Sequence, residues 1–264
     1  MAMRTGGRQG PGRDGPERGA TGRDGRVATG WVTPVAGEHR APARRPRSAI
    51  VDVYDTILRL DALRSRFVDV GRPEHECDLF LARAARDGYA LALSGTPGPF
   101  GEAGLQALRS TTHHLLSDEA LHHVMDGFLS LPPHQDAELA LARLASARIP
   151  TYALAYGSGA DAVAALDRAG LRTYLRGTLS TDDLGVVCPD PRAFTMACDA
   201  LRAKPERTVL ISVHPGDVHG ALRAGLLGGL AIRQSGGVPT TMDPPHVSAP
   251  RMDDVVEQLL ALPA

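Results

Sequence analysis

Lysine is nearly absent from this chain: Lys204 is the single lysine among 29 basic residues in a sequence of 264. A bias this strong reflects the coding of the gene, so the abundance of arginine indicates no binding function by itself. Cysteine is scarce as well, and three residues in a chain of this length form no disulfide framework. An odd, sparse count of cysteines is typical of a reducing compartment, so the sequence predicts a cytoplasmic protein.

Long apolar runs are also missing, since no stretch approaches the roughly 20 apolar residues that a membrane helix needs. The sequence thus predicts no membrane span, and 43% hydrophobic with 22% charged residues is typical of a globular protein. The formal net charge of −1 is unevenly distributed, because residues 1–47 hold an excess of arginine and the remainder is acidic. An acidic body repels a nucleic-acid backbone, so we expect a small-molecule substrate and no nucleic-acid partner.

Residues 1–47 are rich in glycine, arginine and proline and show almost no apolar periodicity. Such a segment buries too little apolar surface to offset the entropy of ordering it, so we predict a disordered tail. An arginine-rich tail that binds RNA or anionic lipid is the less favoured alternative.

From residue 48 onward, short apolar strands alternate with helices. The predicted strands cover residues 48–53, 151–156, 176–181, 207–213 and 227–233. Helices are predicted between the later strands and near the C-terminal end, over residues 158–170, 190–203, 217–225 and 252–262. This alternation predicts an α/β fold in which a parallel sheet carries helices on both faces. Gly228 and Gly229, near the start of the last strand pattern, favour a turn over a phosphate-binding loop.

A long, mostly helical segment separates the first predicted strand from the second. Its helical patterns cover residues 74–92, 102–116, 118–130 and 135–147. On the first of them, Leu79, Phe80, Ala84 and Leu91 are expected near one face. Ser117 and Ser158 are placed to cap the N-termini of helices. The simplest arrangement is a helical insertion directly after the first strand.

Polar residues fall at the ends of the predicted strands. Asp52 ends the apolar part of the first strand, Tyr156 the second and Ser212 the fourth. The carboxyl ends of parallel strands lie at one edge of a sheet, where ligands gather. We therefore expect these side chains to meet in one site.

Three segments resemble motifs of the haloacid dehalogenase (HAD) superfamily, in particular its L-2-haloacid dehalogenase branch. Residues 52–56 (DVYDT) resemble the first motif, Asp-x-Tyr-Gly-Thr. Residues 188–194 (CPDPRAF) resemble Lys-Pro-Asp-Pro-Arg-x-Tyr, and residues 209–225 resemble the fourth motif. The resemblance implies a Rossmann-like parallel-sheet core with a helical cap inserted after the first strand. The core would comprise residues 48–59 and 147–264, and the cap residues 60–146.

The resemblance also implies a reaction, in which a carboxylate attacks carbon or phosphorus and water then cleaves the resulting ester. Asp52 is then the nucleophile, acting on a small, carboxylate-bearing substrate. Arg83, six residues before Tyr89, falls where the family keeps a substrate-facing arginine. The other implied catalytic residues are Thr56, Ser212 and Asp217, and the implied substrate-binding residues are Tyr54, Tyr156, Phe194 and His214. A homodimer is implied by the resemblance alone.

Several positions depart from the family's pattern. Cys188 stands where the family has lysine, and Ala155 and Tyr156 replace its Ser-Asn pair. Phe194 stands where the family has tyrosine, His214 where it has asparagine and Asp55 where it has glycine. These departures leave two hypotheses open: a hydrolase of the 2-haloacid dehalogenase type, or a catalytically impaired protein of the same fold (a pseudoenzyme) that binds a ligand or another protein.

The loss of the lysine bears directly on Asp52. A carboxylate near Asp55 and Asp217 without a cation is expected to have a raised pKa, and a neutral Cys188 thiol supplies no charge. A protonated His214 is the candidate replacement. If the backbone stays extended, Asp55 is expected to point to the opposite side of the strand from the site.

Metal binding is not expected. Mg²⁺ is a weaker candidate, whose oxygen donors would be Asp52, the Tyr54 carbonyl and Asp217. The pairs His113-His114 and His122-His123 predict no zinc site, because adjacent histidines cannot share one helical face.

Overall fold

The computed structural model describes residues 43–96, 98–233 and 237–264. The tail predicted over residues 1–47 therefore lies almost entirely outside the described residues, and its disorder stays a prediction. Within the described ranges, no helix is both long and apolar enough to cross a membrane.

Six strands form one parallel sheet in the order β3-β2-β1-β4-β5-β6. Their bounds are β1 Ser48–Asp52, β2 Thr151–Ala155, β3 Gly177–Ser180, β4 Thr208–Ser212, β5 Leu227–Ala231 and β6 Val247–Ala249. The first five match the predicted strands to within two residues at each end, so the predicted parallel α/β fold is confirmed. The short β6 was not predicted, because three residues carry too little periodicity.

Ten α-helices surround this sheet in the described residues. Five lie between β1 and β2: α1 Arg64–Asp69, α2 Glu76–Leu93, α3 Phe100–Thr111, α4 Asp118–Met125 and α5 Ala137–Ser146. The others are α6 Gly159–Arg168, α7 Thr181–Leu184, α8 Pro191–Leu201, α9 Pro215–Arg223 and α10 Met252–Leu260. Short 3-10 helices occupy Leu60–Leu63, Asp126–Ser130, Arg172–Tyr174 and Pro205–Arg207.

Strand β1 is buried on both faces. Ala49 and Val51 belong to the core on one face of the sheet, while Ile50 packs with Phe194 and Cys198 of α8 on the other. Successive side chains of a strand point to opposite faces, so an apolar run with no polar alternation indicates a strand covered on both sides. The central position of β1 follows from this pattern, and Asp52 lies at its carboxyl end.

Gly228 and Gly229 lie within β5, so the predicted turn at this pair is wrong. A Cβ atom at Gly228 would lie 2.7 Å from Val218 of α9, and one at Gly229 would lie 2.9 Å from Val255 of α10. The two glycines allow a helix to approach each face of the strand closely.

The predicted helix caps at Ser117 and Ser158 are confirmed. The Ser117 hydroxyl accepts the Ala120 N–H at 3.3 Å, and the Ser158 hydroxyl accepts the Asp161 N–H at 3.2 Å. These bonds satisfy backbone donors that the first turn of a helix leaves open.

Helix α3 ends earlier than predicted, and one face of α2 differs from the prediction. The chain leaves α3 after Thr111, because His113 and His114 adopt positive φ angles of 54° and 58°. On α2, Phe80 and Ala84 are buried as expected. Leu79 and Leu91, which were expected on the same face, are exposed.

Candidate active site

The carboxyl ends of β1 and β4 bring Asp52 and Ser212 together, as predicted. Each is the last residue of its strand, and the two strands are hydrogen-bonded neighbours. The Ser212 hydroxyl lies 3.5 Å from Asp52 Oδ2. Thr56, four residues after Asp52, donates its hydroxyl to the same oxygen at 2.6 Å. Thr56 also accepts the Val213 N–H at 3.0 Å, which directs its own proton towards the carboxylate.

The two oxygens of Asp52 have different surroundings. Oδ2 faces Thr56, Ser212 and the Nε2 atom of His214, which lies 3.5 Å away. Oδ1 is buried and has no hydrogen-bond partner among the residues that the structure describes. Buried polar atoms are normally hydrogen-bonded, so an exception of this kind marks a group held for a ligand or a reaction.

The pKa of Asp52 is raised to about 7. Burial is the main cause, since the residue is 2% exposed. The His214 imidazole and the Thr56 hydroxyl lower it, and the charges of Asp217 and Asp55 raise it. The predicted direction is therefore confirmed, although desolvation contributes more to it than the neighbouring acids.

His214 is the basic side chain that approaches Asp52. Its Nε2 atom lies 3.1 Å from the Tyr54 carbonyl oxygen as well as 3.5 Å from Asp52 Oδ2. Burial lowers the pKa of His214, but Asp52, Asp217 and the Tyr54 carbonyl together raise it above the ordinary value. A protonated His214 thus lies where it can partly offset the charge of Asp52.

Tyr156 and Cys188 occupy the side of the site where the family's pattern has polar groups and a lysine. The Tyr156 hydroxyl donates to Asp217 Oδ1 at 2.6 Å. Burial raises the pKa of Asp217, against the lowering effects of His214 and Tyr156. Burial also raises the pKa of the Cys188 thiol well above its ordinary value, so this side chain is neutral. Ala155, the last residue of β2, is fully buried.

A cavity of about 620 Å³ opens next to these residues, between the sheet edge and the helices that follow β1. Tyr54, Tyr156 and His214 form its floor. Asp52 does not line the cavity, but it lies 3.5 Å from His214, which does. The walls come from α2, from the first turn of α3 and from residues 125–129.

Arg83 does not reach this cavity, which corrects the role that the resemblance implied for it. Its guanidinium donates to the Ser110 carbonyl at 3.2 Å and to the Thr111 hydroxyl at 3.3 Å, at the end of α3. Phe80 and Ala84 of the same helix line the cavity. Consecutive helical residues are rotated by about 100°, so Arg83 lies beside that face.

Phe194 is also placed away from the cavity. The residue is fully buried in the same core cluster as Ile50, and its ring would lie 3.0 Å from a Cβ at Gly220. It packs α8 against α9 and β1 and contacts no cavity surface. The substrate-binding role implied for Phe194 does not match this position.

The Asp55 side chain faces His134, and the backbone at Asp55 is not extended, although the prediction had required an extended backbone. Its φ angle is 64°, and its Oδ1 lies 3.7 Å from His134 Nε2. Burial would raise the pKa of Asp55, but the histidine and other positive groups hold it below the ordinary value. Arg233 donates to the Asp55 and Thr56 carbonyls at 2.8 Å each, which fixes this turn.

The oxygen donors considered for Mg²⁺ are partly engaged by neighbouring side chains. The Tyr54 carbonyl faces His214 Nε2, and Asp217 Oδ1 accepts the Tyr156 hydroxyl, so two of the three expected donors are engaged. Among the residues that the structure describes, no group of three or more His, Cys, Asp or Glu side chains is arranged to hold a metal ion. The histidine pairs at 113–114 and 122–123, which are among these described residues, belong to no such group.

The sequence did not reveal the cavity walls. Phe100 and Phe128 lie far apart in the chain, and neither belongs to a motif. For Phe80, the helical periodicity of α2 was a usable signal. For the other two, only the packing of the helices between β1 and β2 brings the rings together.

Comparisons with known proteins agree with this geometry. Residues 46–225 match the family of haloacid dehalogenase-like hydrolases. (S)-2-haloacid dehalogenase 4A of Burkholderia cepacia is 29% identical over 184 residues, which cover 68% of this chain and 80% of that protein. (S)-2-haloacid dehalogenase 1 of a Pseudomonas species is 26% identical over 180 residues, covering 66% and 79%.

Solved structures share the fold. The L-2-haloacid dehalogenase from Xanthobacter autotrophicus with chloropropionic acid covalently bound superposes with a TM-score of 0.75 at 19% identity, covering 82% of this chain and 99% of that chain. The family match spans most of the chain, and its first motif ends β1 at a buried carboxylate. The chain therefore belongs to the haloacid dehalogenase-like hydrolases, and the family predicted from its motifs is confirmed.

Proposed function

We propose that this hydrolase acts through the Asp52 carboxylate, which displaces a leaving group from a small substrate and forms an ester intermediate. The observation that carries the proposal is the buried Oδ1 atom of Asp52, which has no hydrogen-bond partner among the described residues. The other oxygen of the same carboxylate lies 3.5 Å from His214, which lines a cavity. The relatives named as (S)-2-haloacid dehalogenases support the reaction class. Helices from residues 60–146 act as the cap in this proposal.

The first step forms one bond and breaks one. Oδ1 of Asp52 attacks a carbon that carries the leaving group, the new C–O bond forms, and the leaving group departs with the bonding electron pair. Thr56 and Ser212 hold Oδ2, so that the free oxygen keeps its orientation. The step requires an ionised carboxylate, and with a pKa of about 7 Asp52 gains this form as the pH rises through neutrality.

The second step returns the enzyme to its starting state. Water adds to the carboxyl carbon of the ester. The bond between that carbon and the oxygen that links it to the substrate then breaks, and an alcohol leaves. One proton of the water passes to the alkoxide as it leaves and the other is released to solvent, so that Asp52 returns as a carboxylate. The His214 Nε2–H stays bonded to the Tyr54 carbonyl at 3.1 Å. The sum of both steps is substrate plus water giving alcohol plus the protonated leaving group.

A catalytically impaired protein is the second candidate. The neutral Cys188 thiol and the Tyr156 ring stand on the side of the site where a lysine and smaller polar residues are typical of the family, and the pKa of Asp52 is raised. Loss of a preorganised cation can cost orders of magnitude in rate. In this case the cavity binds a ligand and Asp52 forms no ester.

Isotope labelling tests the nucleophile. We expect that a single turnover of 2-chloropropionamide with excess enzyme in ¹⁸O-water leaves ¹⁸O on the peptide that contains Asp52, and that the product takes unlabelled oxygen. Asp52→Asn should release no chloride. Asp55→Asn is the matched control, because that carboxylate faces His134 and its removal should leave the labelling intact.

The same experiment separates the two candidates. Chloride release without label on Asp52 would mean that water attacks the substrate directly. This result would overturn the assignment of Asp52 as the nucleophile. If neither chloride, nor phosphate from p-nitrophenyl phosphate, nor an alkyl adduct on Asp52 appears by mass spectrometry, the impaired protein is the better description.

A further inference from the structure

Aromatic rings dominate the walls of the cavity beside Asp52. The whole chain contains five tyrosines, five phenylalanines and one tryptophan, and six of these residues line this one cavity. They are Tyr54, Phe80, Tyr89, Phe100, Phe128 and Tyr156. More than half of the aromatic residues of the chain therefore line one cavity, which gives it walls suited to a ligand that binds aromatic faces.

The rings that line the cavity pack against one another at steep angles. Tyr54 and Phe128 form an edge-to-face pair with ring centroids 5.7 Å apart and an interplanar angle of 87°. Phe80 packs on Phe128 at 6.3 Å and 76°, and Phe100 lies 5.8 Å from Tyr156 at 57°. The negative face of an aromatic ring attracts a cation that sits over it.

The charged groups of the cavity are almost all acidic. Four carboxylates belong to its lining: Glu102, Asp126, Asp161 and Asp182. No lysine or arginine occurs among the described residues that line it, and Arg83 is held at the end of α3. His214, at the floor, faces Asp52 and the Tyr54 carbonyl. A substrate carboxylate would meet these acids, and the basic side chain at the floor, His214, already lies beside Asp52.

The tyrosines report the same negative potential. The pKa of Tyr54 is raised to about 12, first by burial and then by the charges of Asp161, Asp52 and Asp182. Burial and the charge of Asp217 raise the pKa of Tyr89 to about 12 as well. The acidic groups among these causes disfavour a bound carboxylate and favour a cation, whereas burial disfavours a charge of either sign.

We propose that the cavity binds an organic cation, so that the substrate of the Asp52 reaction carries an alkylammonium group in place of a carboxylate. This inference rests on the proposed function for the assignment of a substrate, but the binding preference itself does not require that Asp52 reacts. The cavity volume of about 620 Å³ is within the range of sites for small organic ligands. In this proposal the ammonium contacts the aromatic rings that line the cavity, with the acidic rim around it.

A matched series of unreactive probes tests the preference. Choline, its neutral isostere 3,3-dimethylbutan-1-ol and the anion 3,3-dimethylbutanoate differ mainly in charge. Calorimetric titration or ligand-observed NMR of the full chain should give a Kd for choline about tenfold lower than for the neutral alcohol, which corresponds to about 1.4 kcal/mol. The anion should bind more weakly than both.

Two variants test the source of the preference. Phe128→Leu keeps apolar volume and removes a ring, so it should weaken choline binding about fivefold and change binding of the neutral alcohol less than twofold. Asp161→Asn should weaken choline binding selectively, whereas Asp199→Asn, an exposed acid on α8 outside the cavity, should not.

Equal or tighter binding of the neutral alcohol would overturn the proposal, and so would tighter binding of the anion. A Phe128→Leu effect equal on all three probes would also count against it, because it would indicate lost packing alone. The probes carry no leaving group. Their binding can therefore fail while Asp52 still becomes labelled with ¹⁸O, and it can succeed in a protein that has no turnover.

Discussion

Two buried carboxylates in this molecule, Asp52 at the end of β1 and Asp136 before α5, have nearly equal burial and opposite electrostatics. They are 2% and 5% exposed. Asp136 receives the Arg233 guanidinium at 2.6 Å on Oδ1 and the Met252 N–H at 2.8 Å on Oδ2. Burial alone would raise the pKa of Asp136, but these partners hold it below the ordinary value. Asp52 has one unpartnered oxygen and a pKa of about 7.

This difference indicates that Asp136 has a structural role and Asp52 a functional one. Asp136 and Arg233 together tie the turn after β1 to the start of α10, since Arg233 also holds the Asp55 and Thr56 carbonyls. A fully paired carboxylate is a poor nucleophile. Asp52 keeps one free oxygen at the cost of a raised pKa, which is the pattern of a functional group.

Removal of the cation beside Asp136 should have the largest effect. We expect Arg233→Met to lower the free energy of unfolding by about 3–5 kcal/mol, because it leaves a buried charge unpaired. Urea denaturation measures the change. Arg192→Met is the control, since its pair with Asp190 is exposed and should contribute less than about 1 kcal/mol. Equal losses in both variants would remove the distinction between the two sites.

Amide substitution of the two carboxylates should change stability in opposite directions. The pKa of Asp52 is raised on folding, so wild-type stability falls as the pH rises from about 4 to about 7. Asp52→Asn removes that loss and should be more stable than wild type at pH 8, by at most about 4 kcal/mol. Asp136→Asn should be less stable than wild type at pH 7, because the lowered pKa of Asp136 contributes stability above its ordinary pKa.

Denaturation curves from pH 4 to pH 8 provide the measurement. The difference in the free energy of unfolding between Asp52→Asn and wild type should vanish towards pH 4, where both side chains are neutral in the folded protein. A difference of constant size across this range would show that the pKa of Asp52 is not raised by folding.

A cation placed beside Asp52 should make it resemble Asp136. Cys188→Lys alone should lower stability by about 1–3 kcal/mol, because the buried site has no room for the longer side chain. Adding Tyr156→Ser frees space, so the double variant should recover part of the loss and show ester formation at lower pH than wild type. Thermal denaturation and the pH profile of labelling measure the two effects. No recovery would mean that the ring of Tyr156 does not occupy the space that the lysine needs.

Loss of the existing cation should have the smallest effect. His214 lowers the pKa of Asp52, so His214→Asn should move the pH midpoint of ester formation upward. His113→Asn, at an exposed position with a positive φ angle that asparagine tolerates, should leave the midpoint unchanged. A downward shift in His214→Asn would contradict the assignment of His214 as the positive neighbour.

Much of the fold followed from local patterns. The continuous apolar run of β1 predicted a strand covered on both faces, and the strand–helix alternation after residue 150 predicted the parallel sheet. Short motifs at strand ends predicted that Asp52, Thr56, Ser212 and Asp217 would cluster. Such predictions succeed because burial and backbone hydrogen bonding act at fixed periods along the chain.

Predictions failed where a side chain's direction depended on its neighbours in space. Arg83 was expected at the substrate because of its spacing from Tyr89, but the packing of α2 against α3 turns it to the Ser110 carbonyl. Gly228 and Gly229 were expected in a turn, but they lie within β5, where the close approach of a helix to each face of the strand requires glycine.

The sequence by itself determined the family, the order of the strands along the chain and the identity of the carboxylate at the end of β1. Only the tertiary structure decided the protonation of that carboxylate and the charge of the cavity beside it. A pKa depends on desolvation and on every charge within a few ångströms, and those surroundings come from segments far apart in the chain. The same holds for the aromatic walls, where rings from five separate segments meet around one space.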